Sequence, residues 1–441
     1  MRVDPDEIVV AVGPGLVADA GLLAEIADRE FTRLGVSGTV VHARDTAHLL
    51  SSVREHEVAV VLPGPGEEAR SSLGEPLGPS VVVWVDIDRV DGATHLHGRG
   101  IAGLAWGIRH AVHRARHSGI RRIAYGPSPE QWGDLYLPTI STTSSAGSAG
   151  TATAAVAFSV AATGTDTVAD SATADTRAAD TRAADTAATG AAFTGTATAG
   201  IAAASAATGI AARASDGAVP VVALIHGGYW RSIWAADLME ELCEDLAGRG
   251  FAVWNLEYRR PDLHGWAATT ADIATGLATL TTLPALVGQG AAVALDLDRI
   301  AVAGHSAGGQ LALRAAADGS RMALAVSLAG VLDLVQGDRR KLSAGAVAAA
   351  LGQTSAQPGD EDPYAASSPL HRLPLGTPQL IVQGRDDDLD LVDFARRHAA
   401  LARQMGDDVT YLEQPGDHFD VITSTAPIWH ATVKAIADAL A

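Results

Sequence analysis

Apolar and polar positions alternate in short blocks along residues 1–118, and these blocks predict alternating strands and helices. Ile8–Val12 and Thr39–His42 are strand candidates, and the continuous apolar runs Val58–Leu62 and Val81–Val85 are typical of strands buried in a parallel sheet. Leu22–Leu34 has the spacing of an amphipathic helix that ends at Gly35, and Gly103–Arg116 predicts a closing helix. The pattern predicts a small three-layer α/β domain.

The same alternation returns after Val219 with stronger turn signals. Helices are predicted at Trp234–Gly248, Ala267–Thr282 and Leu391–Met405. Six segments are strand candidates: Val221–Ile225, Phe251–Leu256, Ile300–Ala303, Leu324–Leu328, Gln379–Val382 and Thr410–Glu413. Strands interleaved with helices in this way favour a doubly wound, mostly parallel sheet.

Residues 139–218 interrupt this pattern, because they consist largely of Ala, Thr, Ser and Gly and include a five-residue repeat at Thr173–Ala187. So few large side chains cannot offset the ordering entropy of the chain, and the segment is predicted to be a flexible insert. The chain thus divides into an α/β domain at 1–118, the first segment of a second domain at 119–138, the insert at 139–218 and the rest of the second domain at 219–441.

The charge of the chain argues against two classes of binding partner. The 441 residues carry a formal net charge of −19, which disfavours nucleic acid or an anionic membrane surface as the main partner. The start of the chain has no secretory pattern, and no apolar run is long enough to predict a membrane span. With Cys243 as the single cysteine, we expect a cytoplasmic protein that acts on a small molecule.

The strongest chemical signal is Gly304-His305-Ser306-Ala307-Gly308, which stands between a predicted strand and a predicted helix. Its glycines permit a sharp turn that lifts a serine hydroxyl above the sheet. In that context the motif predicts a nucleophile, Ser306, of the α/β-hydrolase type. A glycine-rich turn that serves only helix packing is the alternative.

A nucleophilic serine needs a base that is held by an acid, and in this fold the order along the chain is serine, acid, histidine. His418 follows the last predicted strand and is the expected base. Asp387, three residues after Gly384, best fits the spacing of the acid. Neighbouring carboxylates keep the choice open: Asp386, Asp388 and Asp390.

An oxyanion formed during acyl transfer needs backbone N–H donors. The amide of Ala307 is one expected donor, and Gly228 and Tyr229 in the loop His226–Trp230 are expected to supply the others. Trp230 is a candidate for lining an aryl pocket, although tryptophans are more often core or subunit-contact residues.

These motifs resemble the arylformamidase (kynurenine formamidase) branch of the esterase-type α/β-hydrolases. The resemblance rests on HGGYWR, AGHSAGGQLA, DPYAASSPL, GDHFDVI and YGPSPEQWGDLYLP, and it covers about 121–138 and 219–441. It implies hydrolysis of formyl amides or carboxylic esters without a cofactor or metal. A generic small-molecule carboxylesterase and a non-enzymatic binding protein are the alternatives.

Residues 6–117 resemble type II 3-dehydroquinate dehydratase, a flavodoxin-like fold, in IVVAVGPGL, VVLPGPGEEARSSL, VVVWVDIDR and GRGIAGLAWGIRHAV. Those enzymes use a tyrosine near the first strand, and no tyrosine precedes Tyr125. The domain is therefore predicted to lack dehydratase activity and to serve as a scaffold, with homo-oligomer formation as a further expectation. His110, His113 and His117 share a helix face with arginines, which predicts a solvated basic face rather than a metal site.

Overall fold

A computed structural model describes residues 7–73, 77–78, 81–86, 88–90, 95–117, 119–138, 218–284, 293–356 and 362–441. All these ranges belong to one compact unit. The insert predicted at 139–218 lies outside them, except for its last residue, so its flexibility stays a prediction. No helix in the described ranges is long and apolar enough to cross a membrane.

The amino-terminal domain contains a five-stranded sheet in the order β2-β1-β3-β4-β5. Its strands are β1 (Ile8–Val12), β2 (Gly38–His42), β3 (Val58–Leu62), β4 (Val81–Asp86) and β5 (Leu96–His97). All neighbouring strands are parallel. This strand order is that of flavodoxin-like folds, so the expected fold class of this domain is confirmed.

Helices cover both faces of this sheet: α1 (Ala20–Leu34), α2 (Thr46–Arg54), α3 (Glu67–Ser71) and α4 (Gly103–Arg116). The core on one face holds side chains of α1 and α4, and the core on the other face holds side chains of α2 and α3. Arg109 of α4 binds the buried Glu30 of α1 through two hydrogen bonds of 2.7 and 2.8 Å. Charge pairing therefore accompanies apolar packing where these two helices meet.

The carboxyl-terminal domain contains an eight-stranded sheet in the order β13-β12-β11-β10-β8-β9-β7-β6. The strands are β6 (Arg121–Ala124), β7 (Trp132–Tyr136), β8 (Ala218–Ile225), β9 (Ala252–Leu256), β10 (Ala294–His305), β11 (Leu324–Leu328), β12 (Gln379–Gly384) and β13 (Val409–Gln414). Only the pairs made by β7 are antiparallel. The rest form the parallel sheet expected of an α/β-hydrolase.

Nine helices of this domain lie within the described ranges: α5 (Glu240–Gly248), α6 (Pro261–His264), α7 (Trp266–Ala278), α8 (Ala307–Ala317), α9 (Leu334–Arg339), α10 (Leu342–Leu351), α11 (Pro363–Ser367), α12 (Leu389–Gln404) and α13 (Pro427–Ala439). The helix predicted from Trp234 begins only at Glu240, after a 3₁₀ turn. Side chains of β9 and the following residue hold that turn, because Asn255 donates to the Ala236 carbonyl and Glu257 accepts from its amide.

The solvated basic face predicted for α4 is wrong, because its histidines point at α5 of the carboxyl-terminal domain. His110 Nδ1 lies 2.7 Å from Glu240 Oε2. His113 and His117 place their Nδ1 atoms 2.8 and 2.7 Å from Glu244 Oε1. Sequence periodicity identified a polar face but could not show that it meets an acidic face of another domain.

Candidate active site

Ser306 occupies a strained turn between β10 and α8, with φ of 54° and ψ of −117°. The turn is crowded, since a Cβ at Gly304 would lie 2.0 Å from the Gly308 carbonyl oxygen and one at Gly308 would lie 2.1 Å from that of Ile225. The Ser306 amide donates to the Leu328 carbonyl at 2.8 Å. Glycine is thus required on both sides of a serine that the backbone holds in an unfavourable conformation.

This strain predicts that Ser306→Gly is more stable than Ser306→Ala by about 1 kcal/mol, because glycine adopts a positive φ without a Cβ penalty. Both variants remove the same hydroxyl, so alanine is the matched control. Urea unfolding of the two variants measures the difference. Equal unfolding free energies would show that the turn stores no such strain.

Asp387 and His418 are in direct contact. His418 Nδ1 lies 2.9 Å from Asp387 Oδ2. The carboxylate also accepts hydrogen bonds from Gln383 Nε2 at 2.8 Å and from the Asp388 amide at 2.7 Å. Its side chain is only 3% exposed, and this buried, hydrogen-bonded carboxylate suits an imidazole that becomes cationic during catalysis.

The competing acids point elsewhere. Asp386 accepts from the Gly416 amide at 3.0 Å, and Asp388 caps α12 by accepting from the Asp390 amide at 2.8 Å. Asp390 pairs with Arg340. Of the four candidates, Asp387 is therefore the one that contacts the predicted base. The other three bond to other groups of the protein.

His305 connects the nucleophile turn to the loop that carries His418. Its ring lies 4.7 Å from that of His418, and its Nε2 is 3.0 Å from the His418 carbonyl oxygen. Burial holds the pKa of His305 well below its usual range, so the neutral ring donates through Nε2. In the sequence, the only signal for this role is the position of His305 directly before Ser306.

Ser306 Oγ forms no hydrogen bond with any described residue, so the structure brings Ser306 and His418 to one edge of the sheet without joining them. Ser306 follows β10 and His418 follows β13, and both strands present their carboxyl ends on this edge. Hydrogen bonds between nucleophile and base often tighten only when substrate binds.

The loop after β8, His226–Trp230 (the donor loop), presents unpaired backbone N–H donors beside Ser306. A Cβ at Gly227 would lie 2.9 Å from Ser306 Cβ, so the loop and the nucleophile are in close contact. Gly228, Tyr229 and Trp230 all have positive φ, of 109°, 49° and 57°. The amides of Gly228 and Tyr229 donate to no acceptor in the described part of the chain, and the Ala307 amide lies at the free start of α8.

A buried polar cluster fixes the base of this loop. His226 stacks on Tyr258 at 4.4 Å, and its Nε2 lies 3.2 Å from Glu257 Oε1. Burial opposes ionisation of Glu257, yet the charge of Arg260 and the contact with His226 lower its pKa to about 2. Glu257 is therefore a carboxylate at neutral pH. The sequence alone does not reveal this role, because a single glutamate after a strand carries no motif.

The pocket-lining role predicted for Trp230 is not supported, since this side chain is only 1% exposed and belongs to the hydrophobic core. Its indole N–H donates to Gln310 at 3.1 Å, and its ring meets that of Trp266 edge to face. Trp230 therefore attaches the donor loop to the hydrophobic core.

One group of described side chains could place three metal-ligating atoms together: His113, His117 and Glu244, whose atoms lie within 4.8 Å of one another. Burial alone would raise the pKa of Glu244, but hydrogen bonds from the two histidines lower it to about 2. His117 Nδ1 also lies 3.1 Å from the His113 carbonyl, so this nitrogen carries a proton. The three side chains form a hydrogen-bonded contact between the domains.

Comparison with known families finds a match over part of the chain. Residues 210–396 match the family model described as BD-FAE, an esterase-type α/β-hydrolase family. The match includes the donor loop, the Ser306 turn and Asp387, and it ends before His418. Together with the sheet topology, it makes the carboxyl-terminal domain an α/β-hydrolase enzyme of the esterase type.

Solved structures of esterases are similar to half of the chain. A bacterial heroin esterase is 24% identical over 51% of this chain and 74% of its own, with a TM-score of 0.42. An esterase from the archaeon Pyrobaculum calidifontis is 20% identical over 51% and 75%, with a TM-score of 0.41. A truncated carbohydrate esterase from gut microbiota is 17% identical over 51% and 87%, with a TM-score of 0.44. No curated protein matches the chain.

Proposed function

We propose that the protein hydrolyses small carboxylic esters through an acyl-enzyme on Ser306. His418 is the base, Asp387 orients it, and the amides of Gly228, Tyr229 and Ala307 bind the oxyanion. The observation that carries the proposal is the 2.9 Å contact between His418 and the buried Asp387 on the edge of the sheet that bears the Ser306 turn. A non-enzymatic binding protein would have no need of this contact.

The chemistry proceeds in two halves. Ser306 Oγ attacks the ester carbonyl carbon while His418 Nε2 takes the hydroxyl proton, and the carbonyl oxygen becomes an oxyanion held by backbone N–H groups. Collapse of this intermediate breaks the bond to the alcohol, which leaves with the proton from His418. Water, activated by the same imidazole, then releases the carboxylic acid and restores Ser306.

Formyl amides of aryl compounds, with N-formylkynurenine as the representative substrate, are the second candidate. The resemblance of the HGGYW loop to arylformamidases supports it, and so do aromatic side chains near the base. Phe419 is 44% exposed, and its ring lies 5.5 Å from that of His418. An exposed phenyl group at this place suits an aryl substituent.

For the amino-terminal domain we propose a scaffold role. The strand order agrees with the resemblance to type II dehydratases, but no tyrosine precedes Tyr125 to act as the base of a dehydration. A homo-oligomer formed through this domain remains an expectation.

A substrate panel tests the proposed function. We expect purified full-length protein to hydrolyse p-nitrophenyl acetate and butyrate, measured by p-nitrophenol release. Release of formate from N-formylkynurenine tests the second candidate function. Turnover of esters alone identifies a carboxylesterase, and faster turnover of the formyl amide identifies a formamidase. Protein that turns over none of these substrates would contradict the proposal.

A further inference from the structure

The amino-terminal domain contacts the segment that follows the donor loop. Arg99, which is buried, donates through Nε to the Ile233 carbonyl at 2.7 Å and through a second nitrogen to Asp237 Oδ1 at 2.8 Å. The same guanidinium lies 4.7 Å from the ring centre of Trp234. A residue of one domain therefore fixes both the backbone and an aromatic side chain of the other.

Trp106, on α4, extends this contact toward the base. Its ring meets Trp234 edge to face at 5.9 Å and lies 6.3 Å from the ring of Phe419. It packs against the core of its own domain and also against a core of the carboxyl-terminal domain. Trp106 thus joins two segments of the hydrolase that are remote from each other in sequence.

Each of these two segments adjoins a residue that takes part in the proposed mechanism. Trp234 lies behind Gly228, since a Cβ at Gly228 would lie 2.4 Å from Trp234 Cβ. Phe419 directly follows His418, and its ring lies 5.9 Å from that of His305. One indole of the amino-terminal domain therefore supports the donor loop on one side and the loop of the base on the other.

We infer that Trp106 is a positioning residue for the hydrolase active site, so that the amino-terminal domain is part of the catalytic unit; this inference rests on the proposed function. Tyr229 and Trp230 of the donor loop have positive φ, and such backbone at non-glycine residues persists only where its surroundings hold it. Without the indole, Trp234 and Phe419 lose the surface that fixes them, and small displacements of donor or base slow acyl transfer.

The test compares full-length Trp106→Ala, Trp106→Phe and the wild type on p-nitrophenyl acetate. Arg33→Ala is the matched control, because Arg33 also crosses the domain boundary, 2.8 Å from Glu241, but contacts neither the donor loop nor the His418 loop. We expect Trp106→Ala to lower kcat about 10- to 100-fold with KM within about threefold, and Trp106→Phe to recover most of kcat. Arg33→Ala should retain the wild-type kcat.

A second variant keeps the inference testable if Trp106→Ala unfolds. Phe419→Ala removes an exposed ring, and the resulting loss of kcat should be smaller in a background that carries Trp106→Leu, because leucine keeps apolar bulk but removes the ring that meets Phe419. Wild-type kcat in Trp106→Ala, an equal loss in Arg33→Ala, or additive losses in the double variant would overturn the inference. A wild-type protein no more active than Ser306→Ala would instead refute the proposed function.

Discussion

Replacing Ser306 with alanine is expected to reduce kcat on p-nitrophenyl acetate by at least about 10⁴-fold, because the acyl-enzyme has no other oxygen on which to form. The hydroxyl makes no hydrogen bond within the described residues, so the fold should survive the change. A fluorophosphonate probe should label the wild type and leave the variant unlabelled.

The control for this experiment is Ser320→Ala, three residues beyond the end of α8. The Ser320 amide donates to the Ala315 carbonyl, and alanine keeps this bond. We expect wild-type kcat and full labelling for this control. If Ser306→Ala retains the wild-type rate while both variants are folded, the acyl-enzyme mechanism fails.

Asp387→Asn is expected to lower kcat by about 10³- to 10⁴-fold with little change in KM. The carboxylate accepts from His418, Gln383 and the Asp388 amide, whereas an asparagine has one acceptor oxygen and an NH₂ group that donates. An NH₂ group in place of Oδ2 would face both the His418 and the Gln383 donors, and the imidazole would lose the orientation that directs Nε2 at Ser306. Steady-state kinetics measures the loss.

Asp386→Asn and Asp388→Asn are the matched controls for Asp387→Asn. Asparagine can still accept from the Gly416 amide in the first case and can still cap α12 in the second. Each control should keep kcat within about threefold of the wild type. A large loss in either control, with Asp387→Asn unaffected, would transfer the orienting role to the neighbouring acid.

Several features could be predicted from local sequence because local physics determines them. The Ser306 turn depends on glycines two residues away on each side, where an added Cβ would lie 2.0 and 2.1 Å from a carbonyl oxygen. The alternation of apolar strands and amphipathic helices depends on period alone, and it predicted parallel sheets in both domains. The start of α5 was predicted six residues too early, because long-range bonds from Asn255 and Glu257 hold that segment in another form.

The sequence by itself predicted the hydrolase fold, the order of Ser306, Asp387 and His418 along the chain, and the donor loop, since each motif depends on residues close together in the chain. Only the tertiary structure decided which of four nearby aspartates faces His418, because all share the same local chemistry and differ only in direction. It also placed Trp230 in the core and Trp106 beside the active-site loops. Contacts such as Arg99 with Asp237 join residues 138 positions apart, and no local pattern of apolar and polar residues encodes them.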